Sequence, residues 1–365
     1  VIANIIYSGH GDGNFFSGRV GHPFWAFPVP WKWNVSYLHQ RDQFLFYKLL
    51  DPEDIQLNPA YEYPIDRNRA RFELARAWGR EERVTISGAF TWDNQRYGMV
   101  HAVDGVSDTV LANLFQFQVP DRIRVGPSVG FDYLHHGYTQ GTFFDRFGRI
   151  EDLPNQWSAG FRVGRVPRIL GSTQARNRWF VQARAGTAAG PLLVSAEGWL
   201  NYETDAAESE GSTLIHTQLR LYFKPAIRHV LALNMRHDGW YRSNKQGQMF
   251  LGALSGVRGL RARFRAGTRL WYINTEYRYF SPLKILTANL GAVVFGDAGQ
   301  VWDRYNAPRF RDVDVTWGAG LRLGLAKISA DRVLRVDWAK GPDGWITTFG
   351  FGMYFNLNLN QPMEF

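Results

Sequence analysis

Several stretches carry residue types that can do chemistry. Gly126-Pro127-Ser128-Val129-Gly130 has the spacing of a Gly-x-Ser-x-Gly nucleophile turn. That motif presents a reactive serine only from a sharp strand-to-helix turn. Here Pro127 precedes the serine inside an extended stretch and no helical period follows, so Ser128 is read as a strand residue. His135 and His136 are adjacent and point to opposite faces of a strand. No carboxylate motif accompanies them, and no metal site is expected. Asp331 and Asp337 are read as lumen or rim charges, not as an acid–base pair. The run Gly9-His10-Gly11-Asp12-Gly13 lacks the strand–helix context that phosphate binding needs. With no cysteine in the chain, disulfides and thiolate metal centres are excluded. No catalytic residue and no cofactor is expected, and the chain is read as non-enzymatic.

Three other charges are spaced for ion pairing. Arg258 lies in Val257-Arg258-Gly259, within a loop spanning 240–267, and Glu276 and Asp297 follow on two successive strand-like segments. An arginine suits two carboxylates because its planar fork can donate to both. Gly259 would let the backbone turn or pack closely there. Whether these groups meet depends on the elements that carry them.

Those elements read in twos, not in a helical period. Hydrophobic residues make up 45% of the 365 positions, yet no run of 18 apolar residues exists, so a transmembrane helix is not expected. The 14 Trp, 16 Tyr, 26 Phe and 37 Gly suit a membrane β-barrel with interfacial aromatic girdles. A nucleic-acid surface needs clustered basic residues. The net charge of +9 comes mainly from arginines spread singly along strands, often beside Glu or Asp. An arginine-lined, water-filled lumen fits this better, and no nucleic-acid partner is expected.

Strands are expected near 67–79, 83–98, 122–138, 157–166, 177–187, 191–203, 213–224, 227–239, 268–280, 286–298, 313–325, 332–339 and 345–355, with Asn14–Arg19 a further one and 33–49 one strand or a hairpin. Asp51-Pro52-Glu53-Asp54 reads as a turn and 139–155 as a polar loop. Short connections are placed at Lys224-Pro225 and Pro282-Leu283, and long loops at 203–212, 240–267 and 299–312. Each segment is roughly 9–13 residues, the length of a tilted membrane strand. About sixteen strands are expected, and in lipid the sheet must close so that backbone groups find partners. The whole chain, 1–365, is read as one barrel domain, with 345–355 as the closing strand and 356–365 as a C-terminal extension.

Facing follows from the alternation. Trp271, Ile273, Tyr277 and Tyr279 suit lipid, which turns Tyr272, Asn274, Glu276 and Arg278 inward. Leu290, Ala292 and Val294 suit lipid on the next strand, and Asp297 is inward too. Two carboxylates facing one lumen repel and need a cation, which Arg258 supplies if its loop folds inside.

The order Val257-Arg258-Gly259, an acidic residue on the next strand, then Phe295-Gly296-Asp297-Ala298-Gly299-Gln300-Val301-Trp302-Asp303 resembles the BamA/TamA/two-partner-secretion superfamily of outer-membrane barrels. The motifs cover about 227–355; upstream the likeness is only that of a barrel. The resemblance implies an all-β, antiparallel transmembrane barrel with the Val-Arg-Gly loop folded into its lumen. It also implies that Arg258 pairs with Glu276 and Asp297, and that the last strand meets the first at a seam. Phe349, Phe351, Met353 and Phe355 then form an outer-membrane signal on one strand face. Family members usually carry periplasmic POTRA domains, and none fits in this chain. The implied function is insertion or translocation of proteins through a lateral gate or the lumen of a bacterial outer-membrane protein. The alternative is a non-catalytic barrel that scaffolds a multi-protein complex. Expected partners are outer-membrane lipids and protein clients, or subunits supplying periplasmic functions.

Overall fold

The computed structural model describes residues 1–10, 13–24, 29–49, 57–103, 121–205, 211–241, 248–253, 255–303, 308–325 and 333–355. These residues are almost entirely extended. The N-terminal half holds β1 (Ile2–His10), β2 (Gly13–His22), β3 (Trp31–Leu49), β4 (Leu57–Trp78), β5 (Glu82–Tyr97), the two-residue β6 (His101–Ala102) and β7 (Arg122–His135). A small hairpin, β8 (Tyr138–Thr142) and β9 (Ile150–Pro154), precedes β10 (Gln156–Val166), β11 (Arg176–Ala189), β12 (Leu192–Asp205), β13 (Gly211–Ala226) and β14 (His229–Tyr241). A second small hairpin, β15 (Met249–Leu251) and β16 (Arg265–Gly267), leads to β17 (Arg269–Ile285), β18 (Ala288–Trp302), β19 (Asp314–Leu325), β20 (Val333–Gly341) and β21 (Gly344–Phe351).

Sixteen of these strands form one antiparallel meander, each paired with its neighbours in chain order once the four short strands outside it and β6 are set aside. The sheet is strongly curved. Phe147, at the tip of the β8–β9 hairpin, packs against Gly291 of β18 and Gly324 of β19. On a flat sheet β10 and β18 would lie about 29 Å apart, from six strand spacings of ~4.8 Å. The hairpin bridges that gap only because the sheet wraps around it.

Alternation sets the two faces. Phe72, Phe90, Phe161, Val294, Trp317 and Trp345 are exposed on the convex side. Glu73, Arg220, Asn234, Glu276, Asp297 and Asp337 are buried on the concave side. A soluble sheet places its apolar face inward; this one reverses that order, as a barrel immersed in hydrocarbon does. The fold is a transmembrane-type β-barrel sheet; the long β14–β17 and β18–β19 connections lie at one end, and the two-residue β11–β12, β13–β14 and β17–β18 turns lie at the other, with the β8–β9 hairpin.

Three prolines explain differences from the sequence expectations. The connections placed at Lys224-Pro225 and Pro282-Leu283 lie inside β13 and β17, and the true turns follow at Ile227-Arg228 and Leu286-Thr287. Pairing shifts register between Phe223 and Ala226 and between Phe280 and Lys284, and again between Phe46 and Tyr47 opposite Pro59. Proline cannot donate to the ladder, so each sits at a bulge where the strand continues past it. The glycine-rich start is two strands, β1 and β2, and not one. The expected turn at 51–54 and the extension 356–365 lie outside the described residues.

Two further segments depart from expectation. Residues 139–155 are not a loop but the β8–β9 hairpin, whose tip is tied by the Glu151 carboxylate accepting from the backbone N–H groups of Phe144, Asp145 and Arg146. The closing strand ends at Phe351, not at Phe355. Phe349 and Phe351 are 73% and 68% exposed on the outer face, but Met353 and Phe355 are 6% and 8% exposed inside. Gly352, at φ 81°, breaks the alternation between them. That conformation is open to glycine without strain and turns the chain into the lumen. Met353 and Phe355 pack there with Phe144, Leu193, Tyr222 and Phe280.

Candidate functional site

The Val257-Arg258-Gly259 loop enters the barrel from the end with long connections. Its course is set by close backbone turns. The N–H groups of Ser255 and Val257 both donate to the Gly252 carbonyl, at 3.0 and 3.1 Å. Gly256 and Gly259 take φ values of 128° and 78°. A Cβ on Gly256 would stand 2.4 Å from the Tyr272 ring, and one on Gly259 would stand 2.9 Å from Cβ of Ala339. Glycine is needed at both places for conformation and for space. Val257 and Leu260 anchor the loop in an apolar cluster with Leu251, Phe264, Leu270 and Tyr272.

Arg258 is thereby driven into the lumen wall, and its side chain is 1% exposed. Its Nε and Nη2 donate to the two oxygens of Asp297, each at 2.8 Å, and its backbone N–H donates to Asp297 Oδ2 at 3.0 Å. Nη1 donates to Glu276 Oε1 at 2.5 Å. The guanidinium also lies 3.6 Å from the centroid of the Phe295 ring and 4.2 Å from that of Tyr354. Every face of the group is in contact: two carboxylates at its edge and two π-faces on its plane. Desolvation disfavours a buried guanidinium, but the adjacent carboxylates outweigh it and hold the proton more tightly than in water.

The Glu276 carboxylate has a second cation. Arg278, two residues along the same face of β17, donates from Nε to Glu276 Oε2 at 2.7 Å. Its remaining donors reach Asp145 Oδ1 at 2.7 Å, the Phe144 carbonyl at 3.1 Å and the Phe355 carbonyl at 2.9 Å. One β17 pair therefore ties together the long loop, the β8–β9 hairpin and the inward C-terminal segment. Beside it, Arg322 of β19 donates to Asp337 of β20 at 2.6 Å, which places Asp337 in the lumen.

The remaining residues of the strand motif have distinct places. Gly299 receives the loop closely, since a Cβ there would lie 3.0 Å from both Leu251 and Val257. The Gly296 carbonyl accepts from Thr275 Oγ1 at 2.8 Å. Trp302 stacks with His237 at 5.9 Å, and Asp303 Oδ1 accepts from the Thr268 N–H at 3.1 Å. Gly296 sits between two of Arg258's partners, Phe295 and Asp297, and Trp302 and Asp303 hold the end of the strand pair.

Sequence reasoning missed Arg278, Asp145, Tyr354 and Phe355 as members of the same cluster. Arg278 had one available signal, an arginine two residues from Glu276 on the same strand face. The other three depend on how two distant segments fold inward. Among the described residues no cluster of metal-ligating side chains occurs. The arrangement holds chain segments together, with each of these carboxylates tied to an arginine.

In sequence the chain matches no family model and no curated relative. In structure it is similar to BamA from Haemophilus ducreyi lacking POTRA domains 1–3, with TM-score 0.47 and 11% identity over 96% of this chain and 63% of that one. It is also similar to CdiB from Acinetobacter baumannii, at 0.43 and 14% over 96% and 59%, and to CdiB from Escherichia coli, at 0.41 and 11% over 96% and 61%. The chain spans less than two thirds of the length of each of these proteins.

Proposed function

We propose that the chain is an integral outer-membrane barrel that inserts or translocates proteins, with a seam between β1 and β21 as its working edge. One observation carries this reading. Among the described residues β1 pairs with β2 on one side and β21 with β20 on one side, and neither has a partner on the other. In hydrocarbon an unpaired backbone group costs several kcal/mol. A barrel with two free edges favours their pairing with each other or with an incoming strand, and strand addition is a common mode of peptide capture. Ile5 and Tyr7 of β1 are exposed beside that edge and would pack against such a strand.

The absence of native cysteine makes the test direct. Cysteines are placed in pairs along the two strands, starting with Ile5→Cys and Phe349→Cys. Oxidative cross-linking is expected to close the seam, leave the barrel folded and abolish delivery of client proteins, with reduction restoring it. Full activity in a barrel that is quantitatively cross-linked at the seam would sink the proposal.

A second reading, a barrel that scaffolds a multi-protein complex, is favoured by the way Arg258, Glu276 and Arg278 fix two inserted segments to one wall. Fixed stoichiometric co-purification with partner subunits, with no loss of other barrel proteins on depletion, would favour it over insertion.

A further inference from the structure

A pocket of about 370 Å³ opens at the short-turn end of the barrel, between the tip of the β8–β9 hairpin and the ends of β17–β20. Arg146 and Arg149 of the hairpin, Arg228 of the β13–β14 turn and Lys284 of β17 line it. Ser281 and Asn289 add neutral polar groups, and no carboxylate is among its described lining residues. Of the hairpin acids, Asp145 pairs with Arg278 and Glu151 accepts from three backbone amides.

We infer that this pocket binds the phosphate group of a phosphorylated ligand. Arginine and lysine converging on one small cavity make the charge-assisted donor set that phosphate oxygens require. Arg228 is positioned for this, with Nη1 donating to the carbonyls of Phe280 and Ser281 at 3.4 and 3.3 Å and its plane 5.0 Å from the Phe143 ring. Those contacts fix the guanidinium in the wall of the cavity. The surroundings suggest where the phosphate comes from. Ile227, Leu283, Ile285 and Leu286 are all exposed next to the pocket at the same end of the barrel. A basic pocket bordered by apolar side chains at the level where membrane strands end matches an anionic phospholipid headgroup. Free phosphate shares the chemistry, and the test separates the two sources. The inference rests on the membrane barrel and not on the seam.

The purified protein is examined by native mass spectrometry after exchange into mixed micelles of phosphatidylglycerol and phosphatidylcholine, and separately by titration with inorganic phosphate without lipid. The double variant Arg228→Gln/Lys284→Gln removes two of the cations. Arg311→Gln, at an exposed site at the opposite end, is the control for net charge. Heat-modifiable gel migration verifies that each variant is folded. Retention of phosphatidylglycerol at least tenfold over phosphatidylcholine, lost in the double variant and kept in the control, assigns the site to a lipid headgroup. Saturable inorganic phosphate binding lost in the same variant, without lipid preference, assigns it to free phosphate. Equal retention of both lipids with no phosphate binding overturns the inference, and so does binding that is unchanged in the folded double variant.

Discussion

Nη2 of Arg278 donates a 2.9 Å hydrogen bond to the carbonyl oxygen of Phe355, 77 residues further along the chain. The same side chain donates to Glu276, whose other oxygen is held by Arg258. The lumen is thus occupied from both ends by segments that share one carboxylate. Glu276 does more than pair with the long loop, because it couples that loop to the hairpin and the C-terminal segment at the other end.

That coupling makes Arg278→Met informative. Methionine keeps most of the apolar volume but removes the Arg278 guanidinium from Asp145 and from one oxygen of Glu276. Breaking a buried ion pair by removing one partner costs about 3–5 kcal/mol. The β8–β9 hairpin and the C-terminal segment are expected to become accessible to protease in this variant, while loop residues 255–264, still held by Asp297, change less. Cleavage sites mapped by mass spectrometry would check it. A protease pattern identical to the parent would show that Arg278 does not carry the connection.

Gly259→Ala tests the seat of the long loop without touching a charge. The residue must hold φ 78°, and its new Cβ would stand 2.9 Å from that of Ala339. A non-glycine residue in such a conformation costs roughly 1–3 kcal/mol before the clash is counted. Gly190→Ala is the comparison, because its φ is 58° and nothing lies within 4 Å of the added atom. Both variants bear backbone strain, but only Gly259→Ala is expected to loosen the loop. The midpoint of the heat-induced gel shift should fall further for Gly259→Ala, with protease cleavage in the loop appearing only there.

The alternation of β17 and β18 was sufficient to turn Glu276 and Asp297 inward, because one strand face needed lipid. Strand period has no such hold on a loop, and the inward path of Arg258 depends on Gly256, Gly259 and an apolar cluster formed in three dimensions. The turn of residues 353–355 into the lumen escapes the strand period for a related reason. Phe349-Gly350-Phe351-Gly352-Met353-Tyr354-Phe355 alternates without interruption, and only the positive φ of Gly352 divides it. The hairpin at 138–154 was hidden by its polarity, since Glu151 satisfies backbone groups that would otherwise need water.

Glu151 gives the hairpin a pH dependence. Burial, reinforced by the nearby Asp145, pushes its carboxyl up to about 7, although the backbone amides of residues 144–146 pull the other way. The folded state therefore binds a proton more tightly than the unfolded chain. Its contribution is favourable at low pH and is lost as pH rises from the unfolded carboxyl range through about 7. Protection of residues 138–154 from a protease active at both pH values should be greater at pH 5 than at pH 8. In Glu151→Gln, which is neutral throughout, that difference should shrink. A pH difference as large in the glutamine variant as in the parent would place its origin in other groups.

Replacing Arg258 separates charge from shape at the centre of the lumen. Arg258→Ala leaves Asp297 with no cation among its described partners, at a cost of about 3–5 kcal/mol for a fully buried carboxylate. Arg258→Lys keeps the charge but not the fork, so it cannot donate to both oxygens of Asp297 and to Glu276 in the same geometry. The lysine variant should fall between the parent and the alanine variant in heat-modifiable migration and in protease resistance of the loop. Arg258→Ala/Asp297→Ala removes the stranded charge together with its partner and should recover part of the loss, because the two groups are in contact and their effects are not additive. Should the double variant be no more stable than Arg258→Ala, the loss would stem from the guanidinium's packing against Phe295 and Tyr354, and the ion pair would be secondary.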